Sequence, residues 1–253
     1  ASVLQQSDEA DGPVSPNLSA KARAYLDRLG LDADDPDVAC WVWWHVLAIG
    51  YSLAYQEEQA GGLRLDWPRI PMPEDADALC AGAELGRRVA ALLNPLVEVP
   101  GVTVGGIAPL LTRVAFLSEP YASEEERRVT VSYTGTGKLI SRVRAPEEAD
   151  ALHAEAVERA MSEESLDALL GGPETLDVVW NTQAANVPRW RNVPPAAWRY
   201  VIGGYPVLKK WLSYRYAPAL GRSLSHSELR GFRSLARRVT ALVLMGPELD
   251  AHY

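Results

Sequence analysis

Apolar positions recur at helical spacing behind Ser19, at Ala22, Tyr25, Leu26 and Leu29, and predict a first helix that Ser19 caps and Gly30 ends. Asp35 followed by Pro36 marks a second start, because proline is preorganised for the first helical turn and its missing N–H is not needed there. The segment it opens, VACWVWWHVLAIGY, is apolar on every side and is expected to be buried all round. Three prolines in DWPRIPMP, residues 66–73, remove donors and favour extended geometry, so a rigid connector is predicted. A third helix is expected from about Glu74 to Leu93, with Ala78, Leu85, Val89 and Leu92 inward.

The texture then changes. GVTVGGI, RVAFL, RRVTVSY and KLISRV are short, β-branched and bounded by Gly, Pro or acidic turns, which predicts strands, with TGTG at 134–137 as a hairpin turn. An acidic, Ala-rich helix over residues 145–160 and a strand at LDVVWN, 176–181, follow. The final helix carries the fullest set of signals. Ser225 and Glu228 fit a capping box, and Leu224 with Leu229 fits the hydrophobic staple. Leu229, Phe232, Leu235, Ala236, Val239, Leu242 and Val243 share one face, while Arg230, Arg233, Arg237 and Arg238 fall on the other side.

The composition is that of a globular protein: 253 residues, 47% hydrophobic and 23% charged. A net charge of -8 and a pI near 5.1 exclude a protein that coats nucleic acid over its whole surface, but leave room for one basic patch. The longest apolar run, Trp41 to Tyr51, falls short of the roughly 20 residues that cross a bilayer, so no membrane span is predicted. The first residues lack a basic region followed by an apolar one and do not read as a secretory signal; they read as an internal cut or a processed end. Two cysteines, Cys40 and Cys80, make neither a disulfide framework nor a paired-cysteine zinc site, and a reducing cytoplasm is the simplest setting.

Chemical motifs are scarce. No GxSxG, HExxH, CxxC, helix-opening GxGxxG or adenine-methylase NPPY-type tetrad occurs. GTGK at 135–138 lacks the spacing of a phosphate loop and fits a hairpin turn. His45, His153, His226 and His252 are scattered, with His45 expected in the core, and the acidic runs at 123–126, 146–150 and 162–165 fit solvated helix starts, so nothing nominates a hydrolytic pair.

Charge is distributed unevenly. From Arg189 to Arg238 eleven Lys or Arg face one acid, Glu228, a net +10 that leaves -18 on the remainder. Within it, NVPPAAWRYVIGGYPVLKKWLSYR at 192–215 holds five aromatic residues and no acid. Pro206 is expected to start a short helix with Val207, Leu208, Trp211 and Leu212 inward and Lys209 and Lys210 beside the exposed side. The glycines before Tyr205 suit a turn whose free N–H groups meet an anion, and Trp190, Trp198, Tyr200, Tyr205, Tyr214 and Tyr216 are divided between core packing and contact with sugar or bases. Trp198 and Trp211 are expected in the core.

That stretch, with LGRSLSHSELRGFRSLARRVTALVLMGPELDAHY to the end, resembles the C-terminal specificity region of the single-polypeptide restriction-modification enzymes called type ISP, and of related adenine-specific DNA methyltransferases. HVLAIGYSLAYQEEQAGGLRLDWPRIPMP and LGRRVAALLNP extend the likeness over most of residues 38–253, weakest between 102 and 175. The resemblance implies sequence-specific recognition of double-stranded DNA by a non-catalytic module. Separate upstream domains would carry S-adenosylmethionine-dependent methyl transfer and, in the full restriction enzymes, translocation and cleavage.

The implied fold is α+β: a mobile segment at 1–17, a helical coupler at 18–95 packed on a mixed α/β target-recognition domain at 96–253, and a basic C-terminal helix. The resemblance assigns no residue roles, so the site is chosen on physical grounds. Lys209, Lys210, Arg215 and Arg222 suit phosphates, with Tyr205 beside them at the glycine turn. Arg189, Arg191 and Asn192, expected on an irregular loop after a strand, suit base edges in the major groove. The alternative is a coupler that docks onto a methyltransferase or translocase and reads nothing, which the Trp-rich helix favours.

Overall fold

The computed structural model describes residues 16–118, 139–143, 176–180, 189–215 and 225–253. The predictions for 1–15, RRVTVSY, TGTG, the 145–160 helix, Leu224, Tyr216, Arg222 and His153 lie outside them. The chain is α+β and divides into two compact units, residues 1–90 with Glu248–Tyr253, and residues 91–247.

The first unit is helical. In α1, Ala20–Arg28, the Ser19 hydroxyl accepts from the Ala22 N–H. The far end closes as a Schellman motif: Gly30 N–H donates to Asp27 O and Leu31 N–H to Leu26 O, with Gly30 at φ +73°. Helix α2, Pro36–Tyr51, starts on the Asp35 side chain, which accepts from Asp37 N–H at 2.8 Å. Ser52 ends α2 and caps α3, Leu53–Glu58, and a turn of helix, α4, follows at Ala60–Leu63. Helix α5, Ala76–Leu93, carries Leu79 into a core with Leu26 and Ala33, flanked by Tyr25, Leu31, Trp41, Val42 and Met72.

Residues 67–73 have no regular structure, and their carbonyls are anchored from both sides. Tyr25 Oη donates to Pro73 O at 2.8 Å, and His45 Nε2 meets Pro71 O at 2.9 Å. Two glycines of α5 let α2 approach closely. A Cβ on Gly86 would lie 1.8 Å from Trp44 O, and one on Gly82 would lie 2.3 Å from His45 Nδ1. The last residues of the chain seal this unit. Asp250 Oδ1 accepts from the Ser52 hydroxyl at 2.7 Å and from Ala54 N–H at 3.1 Å, while Arg88 pairs with Glu248 at 2.8 Å.

In the second unit a four-stranded antiparallel sheet has the order β1-β4-β3-β2, from Phe116–Ser118, Leu139–Val143, Leu176–Trp180 and Arg189–Val193 in chain order. A short turn of helix, α6, precedes it at Pro109–Thr112. After β4 come α7, Pro195–Arg199, the hairpin β5 (Val201–Ile202) and β6 (Tyr205–Pro206), and α8, Val207–Ser213. Helix α9, His226–His252, opens on the predicted capping box: Ser225 N–H donates to Glu228 Oε2 at 2.8 Å, and Glu228 N–H to Ser225 Oγ at 3.3 Å. The core is aromatic. Trp190, fully buried, packs 4.5 Å from Phe232 and donates through Nε1 to Leu229 O at 3.2 Å.

Four expectations need correction. Helix α2 is not buried all round: Ala39, His45, Ala48 and Ile49 are buried, but Trp43 is 61% exposed and Cys40 is exposed. Leu79, not Ala78, takes the inward place in the first turns of α5. GVTVGGI is a turn, because Val102, Thr103 and Val104 all direct their N–H groups back to Val99 O, with Gly101 and Gly105 at positive φ. Arg189, Arg191 and Asn192, expected on an irregular loop, stand on β4, an interior strand.

Candidate nucleic-acid interface

The β5–β6 hairpin sets the site's geometry. Gly203 and Gly204 sit at φ +57° and +84°, the pair of left-handed residues that a type I′ turn requires. The turn brings Tyr205, 59% exposed, to the start of α8, and Val207 N–H donates back to Tyr200 O at 3.0 Å. Helix α8 buries Leu208 and Leu212, four residues apart, and leaves Val207 and Trp211 half-buried. Its cations lie against aromatic rings. Lys210 Nζ is 4.8 Å from the Tyr205 ring centre and 4.7 Å from that of Tyr214; Lys209 Nζ is 5.4 Å from that of Trp198. The Arg215 guanidinium lies 3.8 Å over Trp211 and donates to Trp211 O at 3.1 Å.

Such stacking orders the side chains at about 0.5 to 1 kcal/mol each on an exposed face and leaves the charge in place. Among the described residues no carboxylate forms an ion pair with Lys209, Lys210 or Arg215. Of the eight residues chosen from sequence, the structure therefore gathers four here: Tyr205, Lys209, Lys210 and Arg215. Tyr214, 61% exposed, belongs with them, and its spacing of four from Lys210 along the helix is the sequence signal that points to it.

The intended base readers divide. Arg189 pairs with Ser118 and Val179 in the sheet register, and Arg191 with Phe116. Asn192 has no exposed surface. It sits at φ +60° where the β3–β4 register shifts between Leu176 and Val178, and its carbonyl accepts from Ala115 N–H at 3.3 Å. Asparagine tolerates the left-handed region better than most residues, so Asn192 serves a bulge and offers no amide to a base edge.

The arginines opposite the apolar face of α9 differ in their surroundings. Arg238 is 4% exposed, and its guanidinium donates to Ala91 O, Leu92 O, Asn94 O and Val97 O around the C-terminal end of α5. Ala91 O and Leu92 O belong to the last turn of α5, where carbonyls lack a partner within the helix, and a cation suits the negative end of the helix dipole; Asn94 O and Val97 O lie just beyond it. Burial pushes the Arg238 guanidinium down from its ordinary value. Arg233 and Arg237 both donate to Thr112 O, at 2.6 and 3.1 Å. Burial, then the charge of Arg233, pushes Arg237 down to about 10, so it stays protonated at neutral pH. Arg230 is exposed.

Among the described residues, no group of three or more His, Cys, Asp or Glu could hold a metal ion, and no helix is long and apolar enough to cross a membrane.

Comparison with the curated proteins gives no match. One solved structure is similar: a nuclease-deletion mutant of the Type ISP restriction-modification enzyme LlaGI in complex with a DNA substrate mimic. It is 17% identical over 84% of this chain, at a TM-score of 0.38 that does not equate the two folds, and this chain spans 13% of its length. The model of the Type ISP C-terminal specificity domain matches residues 4–236, nearly the whole sequence, and the chain belongs to that family.

Proposed function

We propose that the chain is the DNA target-recognition module of a restriction-modification or adenine-specific DNA methyltransferase system, and that it performs no catalysis itself. One observation carries the reading in a member of a specificity-domain family. The face around α8 keeps Lys209, Lys210 and Arg215 without a described carboxylate partner, with Lys210 between the exposed rings of Tyr205 and Tyr214. Phosphate oxygens would take the place of the missing counter-charges, with Arg222 joining them, and the tyrosine rings would lie against sugar. Sequence would be read by Arg189 and Arg191, whose planar donor forks match guanine O6 and N7 at about 1 to 3 kcal/mol per bidentate contact. Methyl transfer from S-adenosylmethionine belongs to domains upstream in the same enzyme.

The test is duplex binding by the full chain across a salt series. The Lys209→Glu/Lys210→Glu variant should lose affinity at every salt concentration and flatten the logarithmic salt slope by about 1.8, at about 0.9 per phosphate contact. Binding that is undetectable at low salt, indifferent to salt, or unchanged in the variant sinks the reading.

A second reading is favoured by one feature of the first unit. Trp67 is 86% and Leu65 90% exposed, with Trp43 also outward, which is more bare apolar surface than a solvated coupler needs. In that reading the helical unit docks onto the methyltransferase or translocase domain of the same enzyme. Trp43→Ser/Trp67→Ser should weaken capture of those domains and leave the DNA salt slope unaltered; undiminished capture excludes it.

A further inference from the structure

We propose that Arg230, Arg233 and Arg237 form a second phosphate clamp, on α9, made by residues other than those around α8 and holding the backbone of the same duplex. The inference rests on the DNA-recognition reading above and deepens it. The three residues stand at positions i, i+3 and i+7, one stripe along two turns, and span on the order of 10 Å of helix axis.

Arg238 shows what a purely internal arginine looks like in this fold. Its two terminal nitrogens reach four carbonyls, and 4% of its surface is exposed. Arg233 and Arg237 differ on each point. Both remain partly exposed, and together they share one neutral acceptor, Thr112 O. The Nε–H of each is buried and meets no acceptor among the described residues, and no described carboxylate pairs with either. Because those Nε–H groups are buried, an external anion would meet the terminal nitrogens of these partly exposed side chains, and two like charges held together there lack an acceptor group that is both anionic and many-oxygened. A phosphate diester supplies both, and arginine forks bind it bidentately. Burial is the main cause that lowers Arg237 to about 10, and the smaller part that comes from the charge of Arg233 would be offset by that anion.

The experiment uses the full chain, with duplex binding measured across salt and thermal melting measured without DNA. Arg233→Gln/Arg237→Gln keeps an N–H donor for Thr112 O at each position and removes both charges. It should reduce the logarithmic salt slope by about 1.8, at about 0.9 per phosphate lost, while the melting temperature holds or rises. Arg230→Gln, at an exposed position with no contact to Thr112, should reduce the slope by about 0.9 whether or not the double variant folds.

An unchanged slope in both variants beside a duplex-binding parent overturns the clamp and leaves the α8 reading standing. A lowered melting temperature with an unchanged slope assigns the pair to internal anchoring and also overturns it. A parent chain that binds no duplex overturns both readings together. Inorganic pyrophosphate separates the sources of phosphate: if it raises the melting temperature of the parent but not of the double variant, and the duplex slope does not change, the site takes free phosphate and the backbone assignment fails.

Discussion

Lys210 and Arg238 belong to one cation-rich segment and end in opposite surroundings. Lys210 lies between two exposed tyrosine rings with no described carboxylate beside it, whereas Arg238 is enclosed and caps the end of a helix. The contrast teaches that a count of charges along a chain is not a map of charge on its surface. A guanidinium with five donors in a fixed fork can satisfy several carbonyls at once, and it is less strongly hydrated than an ammonium, so the arginine goes inside. The lysine, a compact and strongly hydrated charge, stays at the edge with its stem along aromatic surface.

The largest way to break that contrast is at Arg238. Replacement by Met keeps apolar volume but leaves carbonyls at the end of α5 without a donor, at about 3 kcal/mol or more of stability. Lys210→Met should change stability by about 0.5 kcal/mol or less, as exposed substitutions do, and should lower duplex affinity. Chemical denaturation of both variants gives the comparison directly. Equal losses would show that enclosure does not distinguish these two cations.

A buried base that can shed its proton sharpens the same point at intermediate size. Pro71 O can only accept, so His45 Nε2 carries the proton, and His45 Nδ1 accepts from His252 Nε2 at 3.3 Å. Burial, the leading cause, pushes His45 below its ordinary value of 6.5, with the charge of His252 adding to the shift and the Pro71 bond opposing it. Folded His45 therefore refuses a proton that the unfolded chain takes up. Its contribution to stability is full above about pH 6.5 and is lost as the pH falls below that value, by at most about 1.4 kcal/mol per unit for one group. Denaturation between pH 7 and 5 should show the decline, and His45→Gln should flatten it. A decline of equal slope in the variant would assign it to other groups. Arg238, charged throughout, gives no step in this range.

Local signals made part of this fold legible. Ser19, Gly30, Asp35 with Pro36, and Ser225 with Glu228 each act within a few residues, and each makes the bond its spacing predicted. What could not be read depends on partners far along the chain. The acceptors of Arg238 lie more than 140 residues away, and Asp250 reaches Ser52 across 198. Asn192 takes the left-handed place in a bulge opposite Asp177, a demand that no one-strand pattern reveals. GVTVGGI had the β-branched texture of a strand, yet local bonding back to Val99 O prevailed. At the candidate interface the sequence offers the cations, Tyr205 and the i, i+4 spacing of Lys210 and Tyr214, but not the contacts of Lys209 with Trp198 or of Lys210 with Tyr205, which depend on how the hairpin and α7 fold back onto α8.

The smallest effect concerns how the exposed half of the comparison is built. Nothing lies within 4 Å of a Cβ added to Gly203 or Gly204, so space does not demand glycine at either position; the positive φ does. Alanine there should cost about 1 kcal/mol each through backbone strain alone, and asparagine, which the type I′ turn accepts, should recover much of it. Melting curves would rank Gly, Asn and Ala in that order. Because the turn presents Tyr205, and Tyr205 flanks Lys210, duplex affinity should follow the same order with the salt slope unchanged: the charges remain, and only their arrangement is loosened. A slope that fell with Gly204→Ala would mean that the turn carries phosphate contacts through its own N–H groups, and the face would then extend from α8 onto the hairpin.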